Sequence, residues 1–228
     1  MVRNRASLTN VPRDGTATRD RILDAAQRLV LDRGFAATSI DAVLAEAPAT
    51  KGGFFHHFPS KIDLGRALVE RYAAADERML HDFMALAEGE SDDPAEQLVA
   101  FLRHFEQVAD ELAPTQPGCL FVSFIYESQL GGDGEDDIIA TSIRHWRTRL
   151  LGKLEGAARV HPPAIAVDLP SLADQVFTTF EGGFILARAM HDPSHLRAQL
   201  AHLRHYLELL FQLSPTQPAR RRRPTAAA

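Results

Sequence analysis

The chain of 228 residues has the size of one or two domains, and its 45% of hydrophobic residues is enough for a packed core. It contains no run of about 18 apolar residues that would indicate a membrane span, and its N-terminus lacks the apolar segment of a secretory signal. The single cysteine cannot form an intrachain disulfide, which suits the reducing cytoplasm, where we expect the protein to act.

The net charge of −5 is unevenly distributed along the chain. Residues 1–66 carry ten Lys or Arg against seven Asp or Glu, whereas residues 67–219 carry eleven against twenty-three. The tract Arg220 to Arg223 adds four positive charges. A positive N-terminal part suits a partner with phosphate groups, and the acidic body would then face away from it. Acidic helices are also simply soluble, so the asymmetry alone leaves both interpretations open.

The first predicted helix runs from Thr18 to about Arg33. Residues 1–17 before it are polar and contain helix-breaking residues, so we expect a disordered arm. Gly34 provides a C-terminal stop. The apolar face of this helix consists of Ile22, Ala26, Leu29 and Val30.

A short amphipathic helix follows. Ile40, Val43 and Leu44 have the i, i+3, i+4 spacing of one helix face. Thr38 and Ser39 stand before it, and both residue types are good N-caps.

A four-residue break leads to a second short helix, for which Thr50 is a suitable N-cap. Phe54 and Phe58 are four residues apart and should share its buried face. Two short helices joined by a tight turn, the second with a lysine in its first turn, make a helix-turn-helix and indicate DNA binding. The residues predicted to face outward are Lys51, Gly52, Phe55 and His56.

The segment from Thr18 to about Leu68 resembles the DNA-binding domain of the tetracycline-repressor (TetR) family of bacterial regulators. The residues that carry the resemblance are the run TRDRILDAAQRLVLDRGFAATSI, then Lys51-Gly52, then FFHHFPSK. Two positions depart from the family pattern. Pro48 replaces a turn glycine and cannot adopt a positive φ, and Phe55 replaces a tyrosine whose hydroxyl reaches a phosphate.

The resemblance implies contacts with the major groove of a pseudo-palindromic operator. We expect phosphate contacts from threonine, histidine and Lys61 side chains, and an approach of Lys51 and the Gly52 backbone to base edges. Gly53 would let the helix backbone come close to DNA. The predicted DNA-binding residues are Thr38, Ser39, Thr50, Lys51, Gly52, Phe55, His56, His57 and Lys61.

The remaining periodicity predicts an all-α chain with six further helices. Breaks rich in Gly, Pro and Asp separate them, and the last residues, 214–228, form an Arg-rich tail that we expect to be disordered. The predicted helices are Ser60 to about Leu86, Pro94–Leu112, Cys119–Leu130, Asp136–Arg159, Ser171–Met190 and Ser194–Leu213.

Residues 18–66 are thus predicted to bind DNA, and residues 67–213 to bind an effector and to dimerise. Several of the helices of the second region carry aromatic residues, which are an ordinary core or line a pocket for an apolar or aromatic effector. The resemblance favours a pocket. Its candidate residues are Tyr72, Phe101, Phe105, Phe121, Phe124, Ile125, Trp146, Phe177, Phe180 and Phe184.

The last two helices are predicted to form the dimer interface. Gly182 and Gly183 would permit close helix approach, and a leucine stripe follows a spacing of three and four residues. The alternative is that this stripe packs only within its own subunit. The stripe consists of Leu196, Leu200, Leu203, Leu207 and Leu210.

Cys119 begins a strongly apolar helix and admits two interpretations. A helix start stabilises a thiolate and would suit an electrophile or redox sensor, as in some members of the family. Burial among apolar residues has the opposite effect. We favour an inert core thiol.

The sequence therefore predicts a homodimeric, ligand-responsive repressor rather than an enzyme. It contains no GxSxG, Walker, dinucleotide-binding or HExxH motif, and we expect no cofactor and no metal. The expected partners are a double-stranded DNA operator, a second copy of the chain and a small effector, without a membrane, in the bacterial nucleoid. An activator or an effector-less regulator of the same fold is the alternative, and a helical enzyme is a remote one.

Overall fold

The computed structural model describes residues 15–115, 118–127 and 137–214. Most of the predicted N-terminal arm and of the Arg-rich tail therefore lies outside the described residues. Within the described residues, all regular structure is helical, which confirms the all-α prediction. The helices are α1 (Gly15–Arg33), α2 (Ile40–Glu46), α3 (Lys51–His57), α4 (Lys61–Glu90), α5 (Pro94–Thr115), α6 (Leu120–Glu127), α7 (Ile138–Val160), α8 (Leu169–Ala189) and α9 (Ser194–Leu210).

The helix order agrees with the sequence prediction, whereas several ends differ. α1 begins at Gly15, three residues before the predicted Thr18. α4 continues to Glu90, because the exposed Gly89 in its last turn does not interrupt the helix. Pro94 begins α5 as predicted, since proline is well suited to the first turn. None of the described helices is both long enough and apolar enough to cross a membrane.

The described residues form two compact units that are not continuous in sequence. One contains the residues up to Asp76 and those between Gln116 and Ser142, and the other contains Glu77–Thr115 and the residues from Ile143 onward. Helix α4 therefore belongs to both units, and α6 belongs to the first unit although α5 precedes it in the chain. Helix α6 thus packs in the same unit as the helices predicted to bind DNA.

The first unit has an apolar core to which α1, α2, α3 and α4 contribute. The Arg71 guanidinium of α4 also donates to Asp24 Oδ1 and to Gln27 Oε1 of α1, both at 2.7 Å. These contacts hold the third turn of α4 against α1. The core side chains, none more than 2% exposed, include Ile22, Leu23, Ala26, Val43, Phe54, Phe58, Leu64 and Leu68.

An aromatic cluster lies at the centre of the second unit. The Phe105 ring of α5 stacks on Phe83 at 4.1 Å between centroids and meets the edge of Phe180 at 4.7 Å. Phe101 and Trp146 complete the cluster, with their centroids 5.0 and 6.3 Å from that of Phe105. Contacts of this geometry add to the free energy of burial.

The predicted dimer leucines lie inside the subunit. All five are between 0 and 6% exposed and belong to the core of the second unit. Gly183 of α8 lies directly against Leu196, because a Cβ at Gly183 would be 2.7 Å from Leu196 Cδ1. The stripe therefore packs within its own subunit, which is the alternative that the sequence left open. Four of them are at most 2% exposed, and Leu203, at 6%, also lines a surface groove along α8 and α9.

A buried ion pair joins α9 to α5. Arg204 Nε donates to Glu106 Oε1 at 2.6 Å, and Arg204 Nη1 donates to Glu208 Oε1 at 2.8 Å. The three side chains are only 8 to 14% exposed. Burial opposes the charge of the guanidinium, but the hydrogen bonds to the two carboxylates outweigh it and raise the pKa of Arg204. One cation thus balances two buried carboxylates.

We predict that Arg204→Met lowers the free energy of unfolding by about 3–5 kcal/mol, because two buried carboxylates lose their partner. Arg197→Ala is the matched control. Arg197 also pairs with an α5 carboxylate, Asp110 Oδ2 at 2.7 Å, but both side chains are about half exposed. Its removal should cost about 0–1 kcal/mol. Urea unfolding at one protein concentration measures both, and equal losses would refute the prediction.

Candidate nucleic-acid interface

Side-chain caps define the start of α2 and of α3. Ser39 Oγ accepts a hydrogen bond from the Ala42 amide at 3.1 Å, and Thr50 Oγ1 accepts one from the Gly53 amide at 3.0 Å. Both capping residues have the extended backbone that this role requires. The two hydroxyls therefore stabilise helices of only seven residues each, which would be marginal without such support.

The turn between α2 and α3 accommodates Pro48 without a left-handed residue. Ala47 ends α2 in an extended conformation, with φ −94° and ψ 127°, and its amide donates to the Val43 carbonyl. The Ala49 amide then donates to the Ala47 carbonyl at 2.7 Å. No residue of this turn is among the positive-φ residues of the described chain. With Pro48 in place of the glycine of the family pattern, the turn thus adopts a conformation that needs no positive φ.

Helix α3 has one buried and one exposed face. Phe54 and Phe58 are 0 and 2% exposed, as the four-residue spacing predicted. Lys51, Gly52 and His56 are exposed, and the Phe55 ring is 43% exposed. His57 and Gly53 are half-buried. The outward surface of α3 is therefore one cation, one bare stretch of backbone, one aromatic ring and one imidazole.

Lys51 is the cation of this surface, and it has an acidic neighbour. Its Nζ lies 3.6 Å from Asp41 Oδ1 of α2, with the two side chains 66 and 82% exposed. An ion pair so open to solvent contributes little to stability. The ammonium can therefore leave Asp41 for a stronger anion at small cost.

Thr38 is the predicted DNA contact that the structure places away from the surface. It is 2% exposed, and its hydroxyl donates to the Gly34 carbonyl at 2.8 Å. Its amide donates to the Phe35 carbonyl at 3.1 Å. Thr38 thus fastens the loop between α1 and α2, and we omit it from the contacts proposed below.

Lys61 lies beside the same loop. Its Nζ donates to the Ala36 carbonyl at 3.1 Å and lies 4.6 Å from the centroid of the Phe35 ring. An ammonium group has three protons to donate. Lys61 can therefore hold the loop and still donate to a phosphate.

Sequence reasoning missed Glu127, which contacts this loop from α6. Its Oε1 accepts from the Phe35 amide at 3.1 Å, and its Oε2 accepts from the Ala36 amide. The Phe124 ring, one turn earlier in α6, lies 4.9 Å from the Phe35 ring. A signal was present in the sequence, because Glu127 is the single acid at the end of the apolar run CLFVSFIYE.

The ten predicted pocket residues fall into both units. Tyr72, Phe121, Phe124 and Ile125 belong to the first unit, where the Tyr72 and Phe121 rings are 4.9 Å apart and Ile125 is 48% exposed. The other six belong to the second unit, where four form the packed aromatic cluster and two are half-buried. The six are Phe101, Phe105, Trp146, Phe177, Phe180 and Phe184.

A groove of about 590 Å³ lies elsewhere on the second unit, along α8 and α9. None of the ten predicted pocket residues lines it, whereas Gly182, Gly183 and Leu203, all predicted for the dimer interface, do. Its lining also includes Thr178, Thr179, Leu186, His202 and Tyr206.

Thiol and metal chemistry gain little support from the structure. Cys119 is 9% exposed, directly before α6, and it is followed by Leu120 and Phe121, which are 0 and 2% exposed. Such a thiol packs as a small apolar group. Among the described residues, no three His, Cys, Asp or Glu side chains are grouped so that they could hold a metal ion.

Comparison with known proteins agrees with this geometry. The family model for bacterial regulatory proteins of the tetR family matches residues 22–68, which hold the capped helix pair. A second model, the tetracyclin repressor-like C-terminal domain, matches residues 94–203. The chain belongs to the TetR family. The family model describes bacterial regulatory proteins, which agrees with the prediction made from the helix-turn-helix.

Several TetR regulators resemble the chain individually. The HTH-type transcriptional repressor NemR of Escherichia coli (strain K12) is 31% identical over 112 residues, which are 48% of this chain and 53% of NemR. The chain thus spans about half the length of this relative. The transcriptional regulator AcuR of Cereibacter sphaeroides is 24% identical over 80% of this chain and 82% of AcuR. A TetR regulator of Chloroflexus aurantiacus has a similar solved structure, with a TM-score of 0.68 and 26% identity over 87% of this chain and 98% of that one.

We predict that Gly52→Ala has opposite effects on stability and on DNA binding. Gly52 is exposed and a Cβ added there would meet nothing within 4 Å beyond its own helix backbone, so alanine should stabilise α3 by up to about 1 kcal/mol. The added methyl should weaken operator binding, because it would stand where we expect the backbone to approach DNA. Gly89→Ala in α4 is the control, since Gly89 is equally open. It should gain stability with unchanged affinity, and unchanged affinity in Gly52→Ala would contradict the prediction.

Proposed function

We propose that the chain is a cytoplasmic, homodimeric repressor that binds a pseudo-palindromic operator and leaves it when a small apolar or aromatic effector binds. The observation that carries the DNA-binding part is the exposed face of α3, which is presented by a helix capped at Thr50 and anchored by Phe54 and Phe58. The family match and the name of the relative NemR, a repressor, support the regulatory part.

In this proposal, α3 enters the major groove with its N-terminal turn toward the bases. Lys51 would leave Asp41 and donate to a guanine edge, where lysine is a common partner. The exposed Phe55 ring suits apolar contact with a thymine methyl group, which needs no hydroxyl. The bare backbone at Gly52 allows this close approach.

Phosphate contacts would position the helix without reading sequence. Lys61, His56 and His57 are the side chains that we assign to this role. Ser39 and Thr50 use their hydroxyls as caps, so we assign phosphate contacts to the helix starts that they cap, where amide groups and the helix dipole favour an anion.

Selection of binding sites from random-sequence DNA tests the DNA-binding proposal. The purified chain should enrich a site with two-fold symmetry, and Lys51→Ala should then bind that site more weakly by about 1–3 kcal/mol if the base contact is bidentate. Asp41→Asn should bind slightly more tightly, because the competing carboxylate is removed. Fluorescence anisotropy at fixed salt measures each affinity.

Lys61→Ala is the comparison, since a phosphate contact should weaken selected and random DNA alike and lower the salt slope by about one unit. The assignment of α3 to base recognition would fall if Lys51→Ala retained wild-type affinity for the selected site. Failure to enrich any symmetric site would overturn the proposal of two half-sites.

We further propose that the α8 and α9 surface, rather than the leucine stripe, forms the dimer interface. Leu186 lines the groove along these helices and is 40% exposed, and other large apolar side chains of the same helices are also left in water by a monomer. A second copy is the partner that a two-fold operator requires. The exposed large apolar residues of α8, its C-cap and α9 are Ile185, Leu186, Met190 and Leu209, which are 61, 40, 61 and 76% exposed.

We predict that Gly182→Arg produces a monomer that keeps its fold. Gly182 lines the groove and a Cβ added there would meet nothing within 4 Å beyond its own helix backbone, so the subunit itself can accommodate a side chain there. A partner helix in the groove would collide with it. Gly152→Arg is the matched control, because Gly152 of α7 is exposed, equally open, and not part of the groove.

Light scattering should report a dimer for the wild type and for Gly152→Arg, and a monomer for Gly182→Arg with an unchanged circular dichroism spectrum. The monomer should also bind the operator weakly, because the gain from two linked half-sites is lost. A dimeric Gly182→Arg protein would exclude this surface as the interface.

The effector part of the proposal rests on the aromatic side chains of the body. Apolar pockets between helices of a bundle are common ligand sites, and the cluster around Phe105 is of this chemical type. Because its rings pack against one another, an effector there would have to separate them. It could act as an inducer only by binding the DNA-free conformation more tightly than the DNA-bound one.

A further inference from the structure

The loop of residues 34–38 between α1 and α2, here called the head loop, is held on two sides by other helices. Gly34 ends α1 with a positive φ of 87°, and Thr38 closes the loop with its hydroxyl on the Gly34 carbonyl. Ser39, which caps α2, follows immediately. The position of the head loop therefore determines where α2 begins.

Helix α6 contacts the head loop through one carboxylate and one ring. Both oxygens of Glu127 accept backbone amides of the loop, those of Phe35 and Ala36, across more than ninety residues of sequence. Hydrogen bonds from amides to a carboxylate are stronger than those between neutral groups. Phe124, three residues before Glu127 and so on the same helix face, packs on Phe35.

Gly34 makes room for this contact. A Cβ built on Gly34 would overlap Glu127 Oε1, so the carboxylate occupies space that any other residue at position 34 would fill. The positive φ alone would favour glycine. A side chain at position 34 would therefore push the Glu127 carboxylate away from the head loop.

Lys61, the first residue of α4, holds the other side of the loop. It donates to the Ala36 carbonyl, while Glu127 accepts the Ala36 amide. One residue of the loop is therefore bound through its carbonyl by α4 and through its amide by α6. The chain enters α6 from α5 and leaves it toward α7, and most of both helices belongs to the second unit.

We propose that Glu127 is a positioning residue that ties α6 to the head loop and thereby sets the orientation in which α2 and α3 meet DNA. The inference rests on the proposed binding to two half-sites, where the orientation of each reading helix matters. A displacement of α6 would withdraw the carboxylate from Phe35 and Ala36 and free the start of α2. Glu127 need not touch DNA for this role.

The tie requires a carboxylate. Glutamine at position 127 could accept only one of the two amides, and its own NH₂ group would face the other donor. Alanine would accept neither. The series wild type, Glu127→Gln, Glu127→Ala therefore loosens the loop in steps.

The test compares the operator selected from random DNA with the same operator carrying two additional base pairs between its half-sites. The insertion turns one half-site relative to the other by about a fifth of a helical turn. Wild type should prefer the natural spacing strongly. Glu127→Gln and Glu127→Ala should bind the natural spacing more weakly, and the ratio between the two spacings should fall toward one, further in Glu127→Ala.

Glu70→Gln is the matched control, because it removes the same charge from an exposed α4 side chain of the same unit. It should keep the wild-type ratio. A purely structural role of Glu127 would lower both affinities equally, so an unchanged ratio in Glu127→Ala would overturn the proposal.

Amide hydrogen exchange tests the tie without DNA. In Glu127→Ala, the amides of Phe35 and Ala36 should exchange at least about tenfold faster, since each loses a charge-assisted hydrogen bond. Unchanged exchange there would refute the tie. If the wild type showed no preference for spacing, the two-half-site proposal would fail instead, and the exchange result would still decide whether Glu127 holds the loop.

Discussion

The burial of Phe54 and Phe58 is the constraint on which the DNA-binding surface depends. A helix of seven residues is not stable by itself in water, so α3 exists because these two rings are fixed in the core of the first unit. Their i, i+4 spacing leaves no freedom in the rotation of the helix about its axis. Because the two phenylalanines face the core, Lys51, Gly52 and Phe55 face outward.

Features that depend on neighbours in sequence were predictable. The caps at Ser39 and Thr50, the buried face of α3 and the order of the helices follow from side chains within a few residues of one another. The leucine stripe was predictable as a buried face, but periodicity does not say which molecule covers it. The packing of Leu196 against Gly183 shows that helix α8 of the same subunit covers the stripe.

Features that depend on distant parts of the chain were not predictable. Glu127 contacts amides more than ninety residues away, and no spacing rule connects the end of α6 with the head loop. Thr38 illustrates the same limit at short range. A threonine before a helix resembles a cap or a phosphate contact, and only the accepting Gly34 carbonyl shows that its hydroxyl is already used.

Gly34 shows how a local rule and a distant contact can act on one residue. A helix end with positive φ tolerates asparagine as well as glycine, so local backbone conformation would leave a choice at this position. The carboxylate of Glu127 narrows that choice to glycine as long as the contact is kept, because any Cβ at position 34 would displace it. The same closeness lets Glu127 reach two consecutive amides at once. The glycine that ends α1 is therefore also what allows α6 to hold the loop that begins α2.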